Sequence, residues 1–237
     1  MPSELSLVIP VYNEAENAGA LLDAIAEHAG TDCEILICYD SEDDTTLPVV
    51  REQADRFPHL RLVRNHYGRG ALGAIKSGFA EATRPAVIVT MADLSDDLRS
   101  VGPMLEQFHR GAHVVAGSRY MKGGRQIGGP LLKRMLSRLA GLSLHVLAGL
   151  PTHDATNSFR LYSRELLGQV EIESDGGFEL GLELTVKAHL RGMKISEVPT
   201  TWSDRSAGTS RFRLLSWLPR YLRWYWLALR SRPSKAS

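Results

Sequence analysis

Short apolar runs alternate with amphipathic stretches through the first half of the chain. Residues 6–11, 34–39, 60–64 and 86–91, with a later run at 113–117, are brief and rich in β-branched side chains, and they predict buried strands. Between them, 17–29, 46–57, 71–82 and 99–109 carry the apolar spacing of helices. In the first of these, Ala18, Leu21, Leu22, Ile25 and Ala29 recur on one helical face. The βαβα order predicts an α/β fold with a mostly parallel central sheet and helices on both faces. Beyond residue 117 the pattern changes. Gly123-Gly124 and Gly128-Gly129-Pro130 predict a mobile loop. Residues 131–150 read as an apolar helix interrupted by Lys133, Arg134, Arg138 and His145. Residues 158–162 read as a strand, 178–191 as a helix ended by Gly192, and 194–202 as an extended edge segment carrying Pro199.

The C-terminal pattern is separate. Leu215, Leu218, Leu222, Tyr225, Trp226 and Leu229 approximate one helical face, and Pro219 predicts a break into two short helices. Charge sharpens the division. Seven basic residues and no acidic one follow residue 210, which leaves the body with 21 basic against 27 acidic side chains, a net of −6. The chain is therefore divided into a body, 1–210, and a basic aromatic amphipathic tail, 211–237. Trp217, Trp224, Tyr225 and Trp226 suit the headgroup region of a bilayer, so an in-plane interfacial anchor is one reading of the tail. The other is a helix docked on the body or on a second copy of the chain, in a homo-oligomer. Nucleic acid is excluded as a partner because the acidic body would repel it.

Composition adds three bounds. With 237 residues and 43% hydrophobic content the chain can build one large core, or one domain and an appendage. No apolar run reaches the length of about 18 residues that a spanning helix needs; the longest, 139–150, contains His145. The N-terminus enters a strand without a basic region or cleavage site, so no signal peptide is expected. Cys33 and Cys38 face opposite sides of one strand, so no mutual disulfide is expected and a cytoplasmic setting fits.

Candidate chemistry gathers where these strands end. Asp93 follows the apolar run 85–92, beyond the carboxyl end of a parallel strand, where ligands of open α/β sheets bind. A carboxylate there can hold a divalent cation on a diphosphate, or simply cap the next helix. Three further segments meet the same edge: Pro10 to Glu16, Asp40 to Thr46, and Asn65-His66-Tyr67-Gly68-Arg69-Gly70. Acidic residues after the first two strands can bond a base or ribose, and Arg69 between glycines can approach a diphosphate. Helix caps at Asp43 and Asp44 and an ordinary turn at Gly68 and Gly70 are the structural alternatives.

The ordered motifs Val8-Ile9-Pro10-Val11-Tyr12-Asn13-Glu14, Ala92-Asp93-Leu94-Ser95, Gly117-Ser118-Arg119-Tyr120, Ser158-Phe159-Arg160-Leu161-Tyr162, Glu197-Val198-Pro199 and the run from Asp204 to Arg211 resemble one family. The chain is similar to inverting glycosyltransferases of family 2, with the GT-A fold, and within them to the dolichol-phosphate mannosyltransferase-like, polyprenyl-phosphate group. The resemblance implies that Pro10, Tyr12, Glu14 and Asp40 line the nucleoside. It implies Mg²⁺ or Mn²⁺ on Asp93, and Arg69, Arg205 and Arg211 around the phosphates of a GDP- or UDP-sugar. It further implies an acceptor phosphate on Arg119, helped by Lys133, Arg134 and Ser137. Asp93 and Arg119 would then be the catalytic residues.

Two positions depart from the family's pattern. Met91 stands where a first metal-segment aspartate is usual, and a thioether is a poor ligand for a hard cation. Tyr39 stands in place of the first of two aspartates after the second strand. Asp43, Asp44, Asp96 and Asp97 are available to compensate, or to cap helices. An acceptor hydroxyl would need a general base, whereas a phosphate is already anionic. His145 and His153 are candidate bases, but read better as structural. Three functions remain open: transfer to a polyprenyl phosphate at the inner face of a membrane, transfer to a soluble acceptor such as a sugar nucleotide or natural-product intermediate, and nucleotide-sugar binding without catalysis.

Overall fold

Residues 5–10, 34–39 and 86–89 are buried on both faces because helices cover the sheet on either side, which is why, apart from the hydrogen-bonded pair Ser6 and Glu34, their sequence is apolar at every step rather than at alternate ones. The computed structural model describes residues 4–177, 179–204 and 214–230. The first half runs β1 (Leu5–Pro10), α1 (Ala15–His28), β2 (Glu34–Tyr39), α2 (Thr46–Glu52), β3 (Leu60–Arg64), α3 (Ala71–Glu81), β4 (Ala86–Val89), α4 (Val101–His109) and β5 (Val114–Ser118). There follow β6 (Arg125–Ile127), α5 (Leu131–Ala148), β7 (Arg160–Ser163), α6 (Arg164–Gln169), α7 (Leu180–Leu190), β8 (Ile195–Pro199), β9 (Thr201–Ser203) and α8 (Leu214–Arg230).

Seven strands form one sheet in the order β3-β2-β1-β4-β7-β5-β8. The first four are parallel, and β7 is antiparallel to both β4 and β5. Two reversals restore direction, so β5 and β8 point the same way as β1 to β4. The carboxyl ends of six strands, and the start of β7, therefore share one edge. The side-chain period of two divides the core. Leu7, Ile9, Ile35, Ile37 and Ile88 pack with α1, α2 and α4, whereas Val8, Leu36, Val87 and Val89 pack with α3, α5, α7 and α8.

Three expectations change. The glycine-flanked segment at 123–130 is not wholly loop: β6 pairs in parallel with β9 in a second, two-stranded sheet, since backbone groups left over beside the main sheet find partners in each other. The helix expected at 46–57 stops at Glu52, and 54–56 tightens into a 3₁₀ turn. Pro219 does not break the tail; α8 is one helix through it. The proline ring is exposed, and the missing hydrogen bond is outweighed by packing further along, where Trp224 and Ala228 are buried in the core. Cys33 and Cys38 are buried free thiols.

Candidate active site

The loops after β1 to β4 bring together the residues expected to hold the donor. Pro10 is buried at the end of β1, and Tyr12 stands exposed beside it. Asn13 takes a left-handed conformation, φ 55°, which turns the chain into α1. Asp44 fixes that turn from the next loop: one oxygen accepts from Asn13 N at 3.1 Å and from Thr46 N at 2.9 Å. Glu14 accepts from Asn17 Nδ2 at 2.8 Å, while its own N–H donates to Thr46 Oγ1 at 2.9 Å.

Asp40 is committed to its neighbours. Its Oδ1 accepts from Asn65 Nδ2 at 2.6 Å, and its Oδ2 accepts from the Gly70 N–H at 2.8 Å. It thereby shapes the loop that presents exposed Arg69, in which Gly68 and Gly70 have φ of 91° and 104°, values only glycine takes readily. Tyr39, at the position of the missing aspartate, donates its hydroxyl to Glu42 at 2.7 Å. That hydrogen bond raises the phenol's pKa.

Asp93 lies four residues past β4, is buried, and accepts from the Ser95 N–H at 3.1 Å. Leu94 between them is left-handed, φ 59°. Among the described residues no three His, Cys, Asp or Glu side chains converge into a metal cage. A buried carboxylate is a hard oxygen ligand and fits Mg²⁺ or Mn²⁺, which take their other oxygens from phosphates and water. Asp96 does not cap a helix; its Oδ2 folds back to accept from Met91 N at 3.1 Å and Thr90 Oγ1 at 3.2 Å, closing the end of β4. Burial, with the nearby Asp93 charge adding to it, pushes its carboxyl up to about 7. Asp97 does cap the following turn, accepting from Arg99 N.

The residues expected to hold the acceptor gather where β5 ends. Arg119 Nε donates to Asp154 Oδ2 at 2.7 Å, and Nη2 donates to Asp154 Oδ1 at 3.0 Å. The same Nη2 lies 3.2 Å from Ser137 Oγ and 3.0 Å from Thr156 Oγ1. Tyr120 donates its hydroxyl to Ser137 at 2.8 Å, and the Arg119 guanidinium sits 4.9 Å from the Tyr120 ring centre. The arginine side chain is 10% exposed and the aspartate 0%. Burial would raise the Asp154 carboxyl, but the Arg119 guanidinium overrides it and holds the group below the ordinary carboxylate range. Behind them Arg160, also fully buried, donates only to neutral oxygens: Asn157 O at 2.7 Å, Thr185 Oγ1 at 2.6 Å and Asp154 O at 2.6 Å. Two buried guanidiniums thus face one buried carboxylate, and burial lowers the pKa of Arg160.

The structure brings Arg119 and Ser137 together as expected, with Lys133 and Arg134 half-buried one turn earlier on α5. Arg205 and Arg211 lie outside the described residues. Asp154 and Thr156 were not singled out from the sequence. The signal was there in Asp154-Ala155-Thr156-Asn157, whose aspartate accepts from the N–H groups of Thr156 at 3.3 Å and Asn157 at 3.1 Å in an Asx turn. His145 and His153 stack on each other with ring centres 4.1 Å apart, and their Nδ1 atoms bond Leu150 O and Glu197.

Residues 6–170 match the family model described as glycosyl transferase family 2. The chain belongs to that family. A polyprenol monophosphomannose synthase of Mycolicibacterium smegmatis is 31% identical over 217 residues, covering 89% of this chain and 82% of that protein. A dolichyl-phosphate hexose transferase of Haloferax volcanii is 30% identical, covering 87% of this chain and 86% of its own length. A dolichol-phosphate mannosyltransferase of Pyrococcus furiosus is 28% identical over 93% of this chain, which spans only 64% of that relative's length. In three dimensions the chain resembles glucosyl-3-phosphoglycerate synthase of Mycobacterium tuberculosis, solved with Mn²⁺, uridine diphosphate and glucosyl-3-phosphoglycerate. The TM-score is 0.69 at 16% identity, covering 98% of this chain and 82% of the other. That likeness establishes the GT-A fold for this family 2 glycosyltransferase.

Proposed function

We propose that this family 2 enzyme transfers a hexose, with inversion, from a GDP- or UDP-sugar to a polyprenyl phosphate at a membrane surface. The observation that carries the reading is the buried positive charge beside the end of β5, where Arg119 pairs with the Asp154 carboxylate while buried Arg160, at the start of β7, donates to neutral oxygens. Such a cluster favours an anion, and a phosphate acceptor needs no base to become nucleophilic. Asp154, buried and tied to Arg119, is a poor candidate for removing a proton. The names of the relatives, which join polyprenol or dolichol phosphates to mannose or hexose, support the same acceptor.

On the donor side, Asp93 would hold Mg²⁺ or Mn²⁺ against the diphosphate, and that ion would neutralise charge on the leaving group. Pro10, Tyr12 and Glu14 would line the nucleoside. Asp40 would act by shaping the Arg69 loop, and Arg69 would face the phosphates together with Arg205 and Arg211. Lys133 and Arg134 would add to the field at the acceptor.

The membrane surface is supported by α5 and α8, which pack against each other and hold no acidic residue. Leu131, Met135, Leu139, Leu142 and Val146 of α5 are exposed, as are Leu218, Leu222 and Trp226 of α8. An apolar face this long, flanked by basic side chains, suits the interface of an anionic bilayer better than water. No described helix is long and apolar enough to cross a membrane. The opposite side of α5 carries Ser137 to Arg119, so the helix offered to the lipid surface also borders the arginine cluster.

The deciding experiment incubates GDP- and UDP-hexoses with a polyprenyl phosphate in vesicles and detects glycosyl lipid by mass. Product with the phosphate and none with the free polyprenol supports the proposal. Transfer only to water-soluble phosphates moves the reading to a soluble acceptor. Binding of donors without release of nucleoside diphosphate would mean a protein without catalysis.

A further inference from the structure

Glu197, in β8, sits outside the arginine cluster but controls the loop that builds it. Its Oε2 accepts from the His153 N–H at 2.8 Å and from Thr152 Oγ1 at 3.1 Å. Its Oε1 lies 2.5 Å from His153 Nδ1. The carboxylate is 12% exposed. Thr152 Oγ1 in turn accepts from the Asp154 N–H at 3.1 Å, and Asp154 holds Arg119 through both carboxylate oxygens. A continuous line of hydrogen bonds therefore runs from β8 through Thr152 and Asp154 to the arginine at the end of β5.

The far side of the same loop is clamped against α5. A β-carbon on Gly141 would stand 2.2 Å from His153 O, so only glycine admits the loop this close. His145 Nδ1 bonds Leu150 O at 2.8 Å, and its ring stacks on His153. Both ring contacts fall on oxygens that accept, so each histidine carries its hydrogen on Nδ1. From Glu197 the hydrogen bonds lead through Thr152 to Asp154 and Arg119.

We infer that Glu197 and Asp154 are positioning residues that fix the guanidinium of Arg119 in the orientation that receives the acceptor. The inference rests on the acceptor role proposed for Arg119. It predicts a split: loss of Glu197 loosens Arg119 and weakens the acceptor, while the nucleotide is unaffected. Glu197→Ala removes the acceptor oxygens of three donors. Glu197→Gln keeps one oxygen for the His153 N–H and Thr152, and its amide can donate to His153 Nδ1 after a tautomer change, so it rescues most of the geometry.

The test uses the full chain with two independent readouts. The first is hydrogen exchange of the Arg119 Nε–H by ¹⁵N NMR, assigned by its loss in Arg119→Lys. The second compares KM for a short-chain polyprenyl phosphate in detergent with the Kd of GDP and UDP from calorimetry. Glu197→Ala is expected to speed Nε–H exchange and raise acceptor KM, each roughly tenfold or more, the scale of a lost hydrogen bond to a charged group. GDP and UDP affinity should stay within about twofold, since their site has no part in the network. Glu197→Gln should fall near the unsubstituted protein. Asp154→Asn should behave as Glu197→Ala; where it fails to fold, the Glu197 pair carries the test. Unchanged exchange in Glu197→Ala, or an equal loss for acceptor and nucleotide, overturns the inference. Faster exchange in a protein that turns over no polyprenyl phosphate leaves the positioning role standing and overturns the proposed reaction instead.

Discussion

Tyr225 Oη donates to Ser143 Oγ at 2.9 Å, fastening α8 to α5 near the middle of both helices. The two readings of the tail are therefore not exclusive. One side of α8 is docked: Trp224 and Ala228 are buried, Arg220 pairs with Asp175 at 2.6 Å, and Arg223 pairs with Glu173. The other side, with Leu218, Leu222 and Trp226, continues the exposed face of α5.

That shared face gives the first prediction. Met135→Glu, Leu139→Glu and Trp226→Glu together should abolish sedimentation with phosphatidylglycerol vesicles. All three side chains are exposed, so the melting temperature should hold. High salt should weaken the attachment of the unsubstituted protein, because exposed basic groups contribute about 1 kcal/mol each near an anionic surface and are screened.

The docked side gives the second. Trp224→Ala should cost about 3–5 kcal/mol by leaving a cavity between α7 and α8. In a chain of this size that corresponds to a fall of roughly 6–20 °C in Tm, read by calorimetry. Removing 214–237 altogether should destabilise the body as well, since the same core surface is uncovered.

Asp93→Asn should fold normally and lose most metal-dependent turnover, because a neutral amide cannot replace a carboxylate facing a dication and a diphosphate. Activity unchanged against a chelator-treated control would remove Asp93 from the metal site. Met91→Asp, placing a second carboxylate at the family's usual position, should tighten Mn²⁺ binding in calorimetry.

Arg119→Ala should weaken the polyprenyl phosphate roughly tenfold to a thousandfold while the nucleotide changes little. Arg119→Lys should not restore it, because an ammonium cannot bridge both oxygens of Asp154 and also face an acceptor. Steady-state kinetics with each substrate varied in turn separates the two effects.

Asp96 makes the stability depend on pH. Its carboxyl is raised to about 7 in the fold by burial and by Asp93. A group with a raised folded pKa contributes its stability fully below the ordinary carboxylate range and loses it as the pH climbs through about 7. Asp96→Asn keeps an oxygen for Met91 N and Thr90 Oγ1 but cannot ionise. It should therefore raise Tm at pH 8 by a few degrees, and leave it unchanged or lower at pH 4, in scans across that range.

Much of the fold was legible because a strand buried on both faces leaves a sequence that little else resembles. Residues 34–39, buried throughout, were bounded to the residue, as was the half-exposed run 60–64, and Arg119 was placed beyond a strand end. Legibility failed where tertiary partners decide. Nothing local marks Arg125-Gln126-Ile127 as a strand, since its partner β9 lies about 75 residues on. Pro219 spoke for a break that buried Trp224 overrules. Asp40 looked like a free ligand because its two partners, Asn65 and Gly70, belong to another loop. Asp154 stayed hidden for the same reason: its worth depends on Arg119, 35 residues earlier.

The reversed strand β7 has a consequence for how the chain is made. It lies between β4 and β5, pairing Val87 with Tyr162 and Val114 with Tyr162 across its two sides. Until residue 163 has left the ribosome, β4 is an unprotected edge with Ala86 to Val89 open along one side. The loops proposed to bind the nucleotide are complete by residue 97, yet the sheet that supports them is not, so they have no finished platform. Closing it requires joining segments more than 70 residues apart, a slow step in folding. A fragment ending near residue 120 should accordingly aggregate through that edge rather than bind nucleotide as an independent half.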